Sequence, residues 1–274
     1  MASTKDISQT DTGLYDNPSW YDILHTRHTA WEVDGLEAIA SRFVRSTIKN
    51  RPARWLEPAC GTARYLREAA KRGVEVCGYD LSPSMIAYAR ERFDAQGLEG
   101  TLDVGDFTTY VPRKKADFAF NLINTLRHLM TDADALAHLE CVARSLTKGG
   151  VYAVGISTAD YETDEHIEDI WTGGRGQLRI TQMVQFLPPN PATRIEKVIN
   201  HLCVRTPTRE THADSTYDLR TYSRTQWLEL IDRSPFDLLA ITDEFGDAVP
   251  VDDDGVYGGR YGVYLLGVSS HGTS

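Results

Sequence analysis

Apolar residues recur at intervals of three and four between Asp34 and Ile48, where Leu36, Ile39, Ala40, Phe43, Val44 and Ile48 share one face. That spacing predicts an amphipathic helix. The pattern then shortens. An apolar run at Arg54–Leu56 predicts a strand, followed by a turn, a helix over Thr62–Lys71 closed by Gly73, and a strand over Val74–Tyr79. Ser82-Pro83 opens the next helix, with a capping serine and proline at the first helical position, and Gly97 closes it. Strands at Thr101–Val104 and Asp117–Leu122, a helix over Asp132–Leu146 ended by Gly149-Gly150, and a strand at Val151–Ile156 continue the series. Strands alternating with helices of this length specify a mostly parallel sheet with both faces covered.

After residue 156 the periodicity changes. Gln177–Phe186 and Glu196–Val204 have the composition of strands, joined through the turn at 187–192, and Ser215–Tyr222 predicts a third. No helix-period segment separates them, so they form an antiparallel insertion rather than more parallel sheet. An amphipathic helix at Ser223–Ile231 and strands at Leu238–Thr242 and Tyr261–Val268 restore the earlier pattern. The expected class is therefore α/β: a doubly wound, mostly parallel seven-stranded sheet, helices on both faces, and an antiparallel β insertion after the fifth strand. Three regions follow: an N-terminal segment, 1–33, whose first 13 residues are small, polar and expected to fray; the α/β domain, 34–156 with 223–274; and the insertion, 157–222.

Composition narrows the function. The 274 residues carry a formal net charge of −10, which disfavours a protein that grips phosphate backbones through clustered cations. Free nucleic acid is not an expected partner. Cys60, Cys77, Cys141 and Cys203 form no C-x-x-C pair, so they read as buried thiols of a reducing compartment. The N-terminal thirty residues lack a basic start followed by an apolar run, and no stretch approaches the roughly 18 apolar residues that span a bilayer. A cytoplasmic protein without a membrane partner is expected.

Chemistry concentrates at strand ends. Trp55-Leu-Glu-Pro-Ala-Cys-Gly-Thr-Ala-Arg follows a strand and opens a helix, where a doubly wound sheet places a ligand. A dinucleotide pyrophosphate needs a G-x-G-x-x-G turn for its phosphates, but here only Gly61 is glycine. A ligand without phosphates and with positive sulfonium and amino groups suits Glu57 instead. Asp80 lies 19 residues after Gly61 (80 − 61), beyond the second strand, where a carboxylate accepts both ribose hydroxyls. Gly105-Asp106-Phe107 follows the third, where Asp106 accepts from an adenine amino group and the next amide donates to the ring. Taken singly, Asp80 and Asp106 fit helix-cap or turn roles equally well.

In these three motifs, Glu57-Pro-Ala-Cys-Gly-Thr-Ala, Asp80-Leu-Ser-Pro-Ser-Met and Gly105-Asp-Phe, the chain resembles the class I, Rossmann-like S-adenosylmethionine-dependent methyltransferases of the small-molecule type. The resemblance covers about residues 15–156 and returns weakly at 220–268. It departs at Ala59 and Ala63, where glycine is more usual. The resemblance implies S-adenosylmethionine as cofactor and S-adenosylhomocysteine as product. It further implies that the loop through Glu57, Ala59 and Gly61 wraps the methionine part, that Asp80 binds ribose, and that Leu81 and Met85 line the adenine. Asp106 and the Phe107 amide would read the adenine edge, and Asn121 would lie under the methionine moiety. Arg64 would pair with the methionine carboxylate, or be a solvated charge.

The acceptor side is less defined. Methyl transfer is an in-line displacement, so alignment and exclusion of water dominate, and a base is needed only for a protonated nucleophile. Asn124-Thr-Leu-Arg-His-Leu-Met follows the fourth strand, and topology places His128 towards the transferred methyl; it equally suits a cap or packing role. Arg127 would hold an acidic acceptor or be solvated. Trp20–Trp31 resembles N-terminal segments that fold over the cofactor as a lid, with Tyr21 near the methyl group and Trp31 beside the cofactor, or both serving as packing anchors. His25 and His28 lack a third ligand at metal spacing and Asp252–Asp254 reads as a solvated loop, so no metal is expected. The insertion resembles the antiparallel platform of methyltransferases acting on amino sugars and other small amines, as an acceptor wall or a homodimer contact. Trp171, Arg179, His201, Tyr217, Arg220 and Tyr222 are its candidates, and strand alternation turns half of them away. The expected activity is methyl transfer to N or O of a small molecule; the alternative is a non-catalytic S-adenosylmethionine-binding protein.

Overall fold

A computed structural model describes residues 6–10, 13–45, 51–162, 166–243, 246–247 and 261–269, with the backbone alone over 6–10. The helix expected to reach Ile48 ends at Phe43, and the acidic run Asp252–Asp254 lies outside the described residues. The chain divides into two compact units: residues 1–29 with 161–219, and 30–160 with 220–274.

The larger unit holds a seven-stranded sheet. In chain order its strands are β2 (Arg54–Pro58), β3 (Glu75–Asp80), β4 (Thr101–Val104), β5 (Ala116–Asn121), β6 (Leu146–Ser157), β11 (Phe236–Thr242) and β12 (Tyr261–Val268). Their spatial order is β11-β12-β6-β5-β2-β3-β4. β2 pairs in parallel with both β3 and β5, and only β12 runs against its neighbours. The doubly wound, mostly parallel sheet predicted from periodicity is what forms.

Adjacent residues of each strand point to opposite faces, and both faces are buried. Leu56, Ala119, Val154 and Leu266 join a core with the helices α5 (Asp132–Ser145) and α6 (Arg224–Asp232), through Leu139, Val142, Trp227 and Leu230. Trp55, Phe118, Phe120, Ala153 and Leu265 join the opposite core, covered by α2 (Thr29–Phe43), α3 (Arg64–Lys71) and α4 (Pro83–Asp94). The α4 start matches the sequence: the Ser82 hydroxyl accepts from the Met85 amide, with Pro83 at the first position. Ser223 and Gln226 form a reciprocal capping box on α6. The helix expected from Asp34 starts five residues earlier, because apolar periodicity marks the buried stripe and not the polar first turn.

The smaller unit contains α1 (Pro18–His25) and a five-stranded sheet of order β1-β10-β9-β8-β7, with β1 (Asp6–Thr10), β7 (Ile167–Arg175), β8 (Leu178–Phe186), β9 (Ile195–Arg205) and β10 (Arg209–Arg220). β8–β9 is antiparallel, as the sequence implies, and β7–β8 is antiparallel too. Two strands depart from that reading. Residues 6–10, expected to fray, pair in parallel with β10, a partnership of main-chain groups that polar composition does not forbid. β7 carries Gly173 and Gly174 and exposes Ile167 and Ile170, so it shows no alternation to read. Leu14, Ile23, Leu24, Ile180, Leu202 and Val204 form this unit's core, with Tyr21 and Trp171 packed against it.

One buried polar contact ties three segments of the larger unit together. His138 of α5, with no exposed surface, uses Nδ1 to reach the Phe107 carbonyl at 2.9 Å and Nε2 to meet the Tyr152 hydroxyl of β6 at 2.7 Å. A carbonyl only accepts, so Nδ1 carries the proton and Nε2 accepts from Tyr152. Burial lowers the His138 pKa from 6.5 to about 4. The folded state therefore resists a proton that the unfolded chain accepts, and this contribution to stability is complete above pH 6.5 and lost as pH falls to about 4. Thermal melts should show a loss of roughly 3 kcal/mol over that interval. His138→Phe should be less stable at pH 7 and flatter in acid; equal steepness in the variant would remove His138 from that role.

Candidate cofactor and acceptor site

Strand order reverses between β2 and β5, because the connections from them run to opposite sides of the sheet, and this is where a doubly wound sheet leaves a crevice at its carboxyl edge. Two buried oxygens lie at those two strand ends. Glu57 is 7% exposed and Asn121 is 2% exposed. Asn121 Nδ2 donates to the Pro58 carbonyl at 2.8 Å, which fixes the amide and leaves Oδ1 the free acceptor. Oε2 of Glu57 and Oδ1 of Asn121 are without hydrogen-bond partners among the described residues. Unpaired buried acceptors cost about 1–3 kcal/mol each, so the crevice suits a ligand bearing hydrogen-bond donors. Burial raises the Glu57 pKa well above the usual carboxylate value, against the opposing charge of Arg64.

The loop after β2 is built from left-handed residues: Ala59 at φ 49°, Gly61 at 53° and Ala63 at 54°. Alanine there is strained by about 1–3 kcal/mol, which accounts for the usual preference for glycine at those two positions. Two contacts hold the strained path: Cys60 N donates to Tyr79 O at 2.9 Å and Ala63 N to Cys60 O at 2.8 Å. Asp80 supplies the third tie, one carboxylate oxygen accepting from Gly61 N and the other from Ser82 N, both at 2.8 Å. Asp80 therefore joins the loop after β2 to the start of α4. Burial raises its pKa and the two amides partly offset the rise. Each oxygen keeps a second lone pair for a hydroxyl.

Of the other sequence candidates, Leu81 is 70% exposed at the rim while Met85 is buried. Asp106 closes its own turn: Oδ1 accepts from the Thr108 amide at 2.7 Å and its hydroxyl at 2.6 Å, and those two bonds lower its pKa. The Phe107 ring packs against His138, tilted at 40° with centroids 4.1 Å apart, so the histidine that orders the core also fixes the loop carrying Asp106. Arg64 is no solvated charge: it is buried, paired with Glu32 of α2 and the Tyr65 hydroxyl, and lies 3.7 Å over the Tyr65 ring. Trp31, also on α2, is half exposed. Glu57, Ala59, Gly61, Asp80, Asp106, Phe107 and Asn121 thus gather at the carboxyl edge of β2, β3, β4 and β5.

Beyond β5 the chain turns through Ile123 and Asn124, at φ 53° and 61°. A β-branched residue in that region is a marked outlier. It is held by the Tyr261 hydroxyl, which accepts from Ile123 N at 3.1 Å, and by Asn124, whose side chain accepts from Ser157 N at 2.6 Å and donates to its hydroxyl at 3.1 Å. Gly155 is required here, since a Cβ at that position would stand 1.9 Å from the Tyr261 oxygen. The sequence reading missed Ile123, Asn124 and Tyr261; Asn124, a residue that tolerates left-handed backbone, was the available signal. His128 ends the following 3-10 turn, exposed in area yet crowded by protein atoms. That desolvation, then the Arg127 charge, lowers its pKa. Arg127 itself is buried and donates to the Arg220 carbonyl at 2.9 Å, so it is not solvated.

The remaining candidates divide between the units. Arg220 pairs with Asp132 at 3.1 Å and Tyr222 is buried, both in the larger unit. In the smaller unit Tyr21 lies 4.5 Å from the His25 ring, which stands 4.8 Å from Trp171, and Tyr217 meets Tyr15 at 5.9 Å. Arg179 donates to Gly176 O and Leu178 O at the β7–β8 turn. His201 projects from the sheet face opposite the core residues Leu202 and Val204. All four cysteines are buried and unbridged, and no helix among the described residues is long and apolar enough to cross a membrane.

Residues 56–150 match the family described as methyltransferase domain. Among curated relatives, the dTDP-3-amino-3,6-dideoxy-alpha-D-glucopyranose N,N-dimethyltransferase of Streptomyces fradiae is 26% identical over 178 residues, 65% of this chain and 67% of the relative. Among solved structures, DesVI of Streptomyces venezuelae is similar with a TM-score of 0.73 at 16% identity, over 95% of this chain and all of the other. An S-adenosylmethionine-dependent methyltransferase from Clostridium acetobutylicum gives 0.70 at 16%, over 91% and 96%. The amino pentose methyltransferase CalS10 of Micromonospora echinaspora gives 0.67 at 18%, over 92% and 97%. These likenesses carry the fold.

Removing the Asp80 carboxylate leaves two amides without their charged acceptor. Asp80→Ala should lower stability by about 1–3 kcal/mol in chemical denaturation. An unchanged midpoint would mean that the loop holds its left-handed path without it.

Proposed function

We infer, with the methyltransferase domain at residues 56–150 as the premise, that this chain is a class I S-adenosylmethionine-dependent methyltransferase that methylates an amino or hydroxyl group of a small molecule. The observation that carries the cofactor is the pair of unpartnered oxygens at the strand-order reversal, Glu57 Oε2 and Asn121 Oδ1, beside a loop with a single glycine and no phosphate cradle. When bound, S-adenosylmethionine supplies a methyl group activated by a sulfonium. The chain's own residues bind and align. Glu57 and Asn121 take the amino group, Ala59 and Gly61 pass the methionine chain along their backbone, and Asp80 accepts the ribose hydroxyls with the lone pairs its two amide bonds leave. Met85 and Leu81 cover one side of the adenine, while Asp106 and the Phe107 amide read its edge. Arg64, held by Glu32, positions α3 against α2 and offers its charge to the methionine carboxylate; Trp31 stands on the same helix.

For the acceptor we propose a small amine such as an amino sugar. Support comes from the printed activities of the Streptomyces fradiae relative and of the amino pentose enzyme, and from a platform sheet of the kind the sequence resembles. His128 is the base that takes the amine's proton. A non-catalytic binding protein has no observation in its favour that this reading lacks.

The experiment is transfer of a labelled methyl group from S-adenosylmethionine to a panel of amino sugars, amines and phenols. Transfer to an amine is expected; cofactor binding with no transfer to any member would contradict the assignment. His128→Ala should lower turnover about 10²–10⁴-fold with cofactor affinity intact, and full activity would exclude the base role. A cation brought against Glu57 favours its carboxylate form, so binding should release a proton and weaken as pH falls. Calorimetry in buffers of different ionisation enthalpy measures that proton. Glu57→Gln should bind more weakly and without release; unchanged release would place the proton elsewhere.

A further inference from the structure

The metal-free expectation rested on His25 and His28, but the β9–β10 hairpin assembles a different set. The two strands join at Pro207-Thr208, so residues equidistant from the turn meet across the ladder. On one face stand His201, Cys203 and Arg205, opposite Asp214, His212 and Glu210; Leu202, Val204 and Ala213 point to the core on the other face. Cys203 Sγ, Glu210 and His212 ligand atoms all lie within 4.8 Å of one another. Sγ is 3.7 Å from Glu210 Oε1, and His212 Nε2 is 3.0 Å from that oxygen. Tetrahedral zinc, with bonds of about 2.0–2.3 Å, sets ligand atoms roughly 3.3–3.6 Å apart. The Sγ–Oε1 and Nε2–Oε1 separations each differ from that spacing by only a few tenths of an ångström, and the third pair lies within 4.8 Å.

Behind this set, His201 Nδ1 meets the Asp214 carboxylate, and His201 Nε2 stands 3.3 Å from His212 Nδ1. A carboxylate–histidine relay behind a ligand is the arrangement that fixes a metal-binding tautomer, and here Asp214 and His201 provide it. Arg205 donates to both Glu210 oxygens, from Nε to Oε2 at 2.8 Å and from Nη2 to Oε1 at 3.3 Å, orienting the carboxylate.

We propose that Cys203, Glu210 and His212 bind a borderline-soft divalent metal, zinc, with water in the fourth position, and that His201 and Asp214 position His212 for it. Thiolate and carboxylate neutralise the ion's two charges, and Asp214 balances Arg205. The thiol proton leaves to solvent on binding, and no electrons move. The site staples β9 to β10 in the smaller unit and is independent of the cofactor reading.

The test uses the full, untagged chain, titrated with Zn²⁺ against a chromophoric chelator, and with Co²⁺ by absorption. One equivalent should bind, and the cobalt complex should show a sulfur-to-metal charge-transfer band. Cys203→Ser and His212→Gln should weaken binding more than 100-fold, and Cys203→Ser should abolish the band. His201→Asn should weaken it roughly 10–100-fold. Melts of the metal-free variants report folding separately, and Glu210→Gln serves if either variant is unfolded. Absence of stoichiometric binding, or affinity unchanged in Cys203→Ser and His212→Gln, would overturn the site.

Discussion

The reversal of strand order between β2 and β5 is the constraint on which the candidate site depends. Interior strands of this sheet are sealed by helices on both faces, so polar groups there must find partners within the protein. At the reversal the connections part, and the carboxyl ends of two neighbouring strands can carry groups whose partners come from outside. Glu57 and Asn121 occupy those ends, each with one buried oxygen that no described residue satisfies. Their cost is borne by a core in which consecutive residues of β5, Phe118, Ala119 and Phe120, are fully buried on alternating faces.

The surrounding loops follow from that opening. A chain leaving β2 has to turn at once into α3, and it does so through three left-handed residues, two of them alanine. Such a path persists only where neighbours determine it, and Tyr79, Cys60 and Asp80 do so. The loop after β5 repeats the device with Ile123 and Asn124, held by Tyr261 and Ser157. Strain on both sides of one crevice is the pattern expected where backbone groups are presented to ligands rather than packed away. His138 extends the order to the third loop, since its neutral ring both accepts from Tyr152 and donates to Phe107.

Most of the larger unit was legible because its strands are buried on both faces and its helices on one, and those two periods survive in the sequence. Glu57, Asp80 and Asp106 were visible from their places at strand ends. Their structural work was not: that Asp80 ties two amides, and that Arg64 is locked to Glu32, depends on residues 19 and 32 positions away. β1 and β7 escaped for different reasons. One pairs through its main chain with β10, and the other exposes apolar residues without alternation. The cluster at Cys203, Glu210 and His212 is legible only after a hairpin is folded about Pro207-Thr208, which brings Cys203 across to Glu210 and His212.

Hydrogen exchange on the intact chain, with and without S-adenosylmethionine, tests the central claim most directly, because it locates the cofactor without presuming the reaction. The account predicts new protection at four strand ends, residues 57–63, 80–85, 105–108 and 121–124, which adjoin the strand-order reversal and its flanking loops. Protection confined to other segments, or none at saturating cofactor, would contradict it.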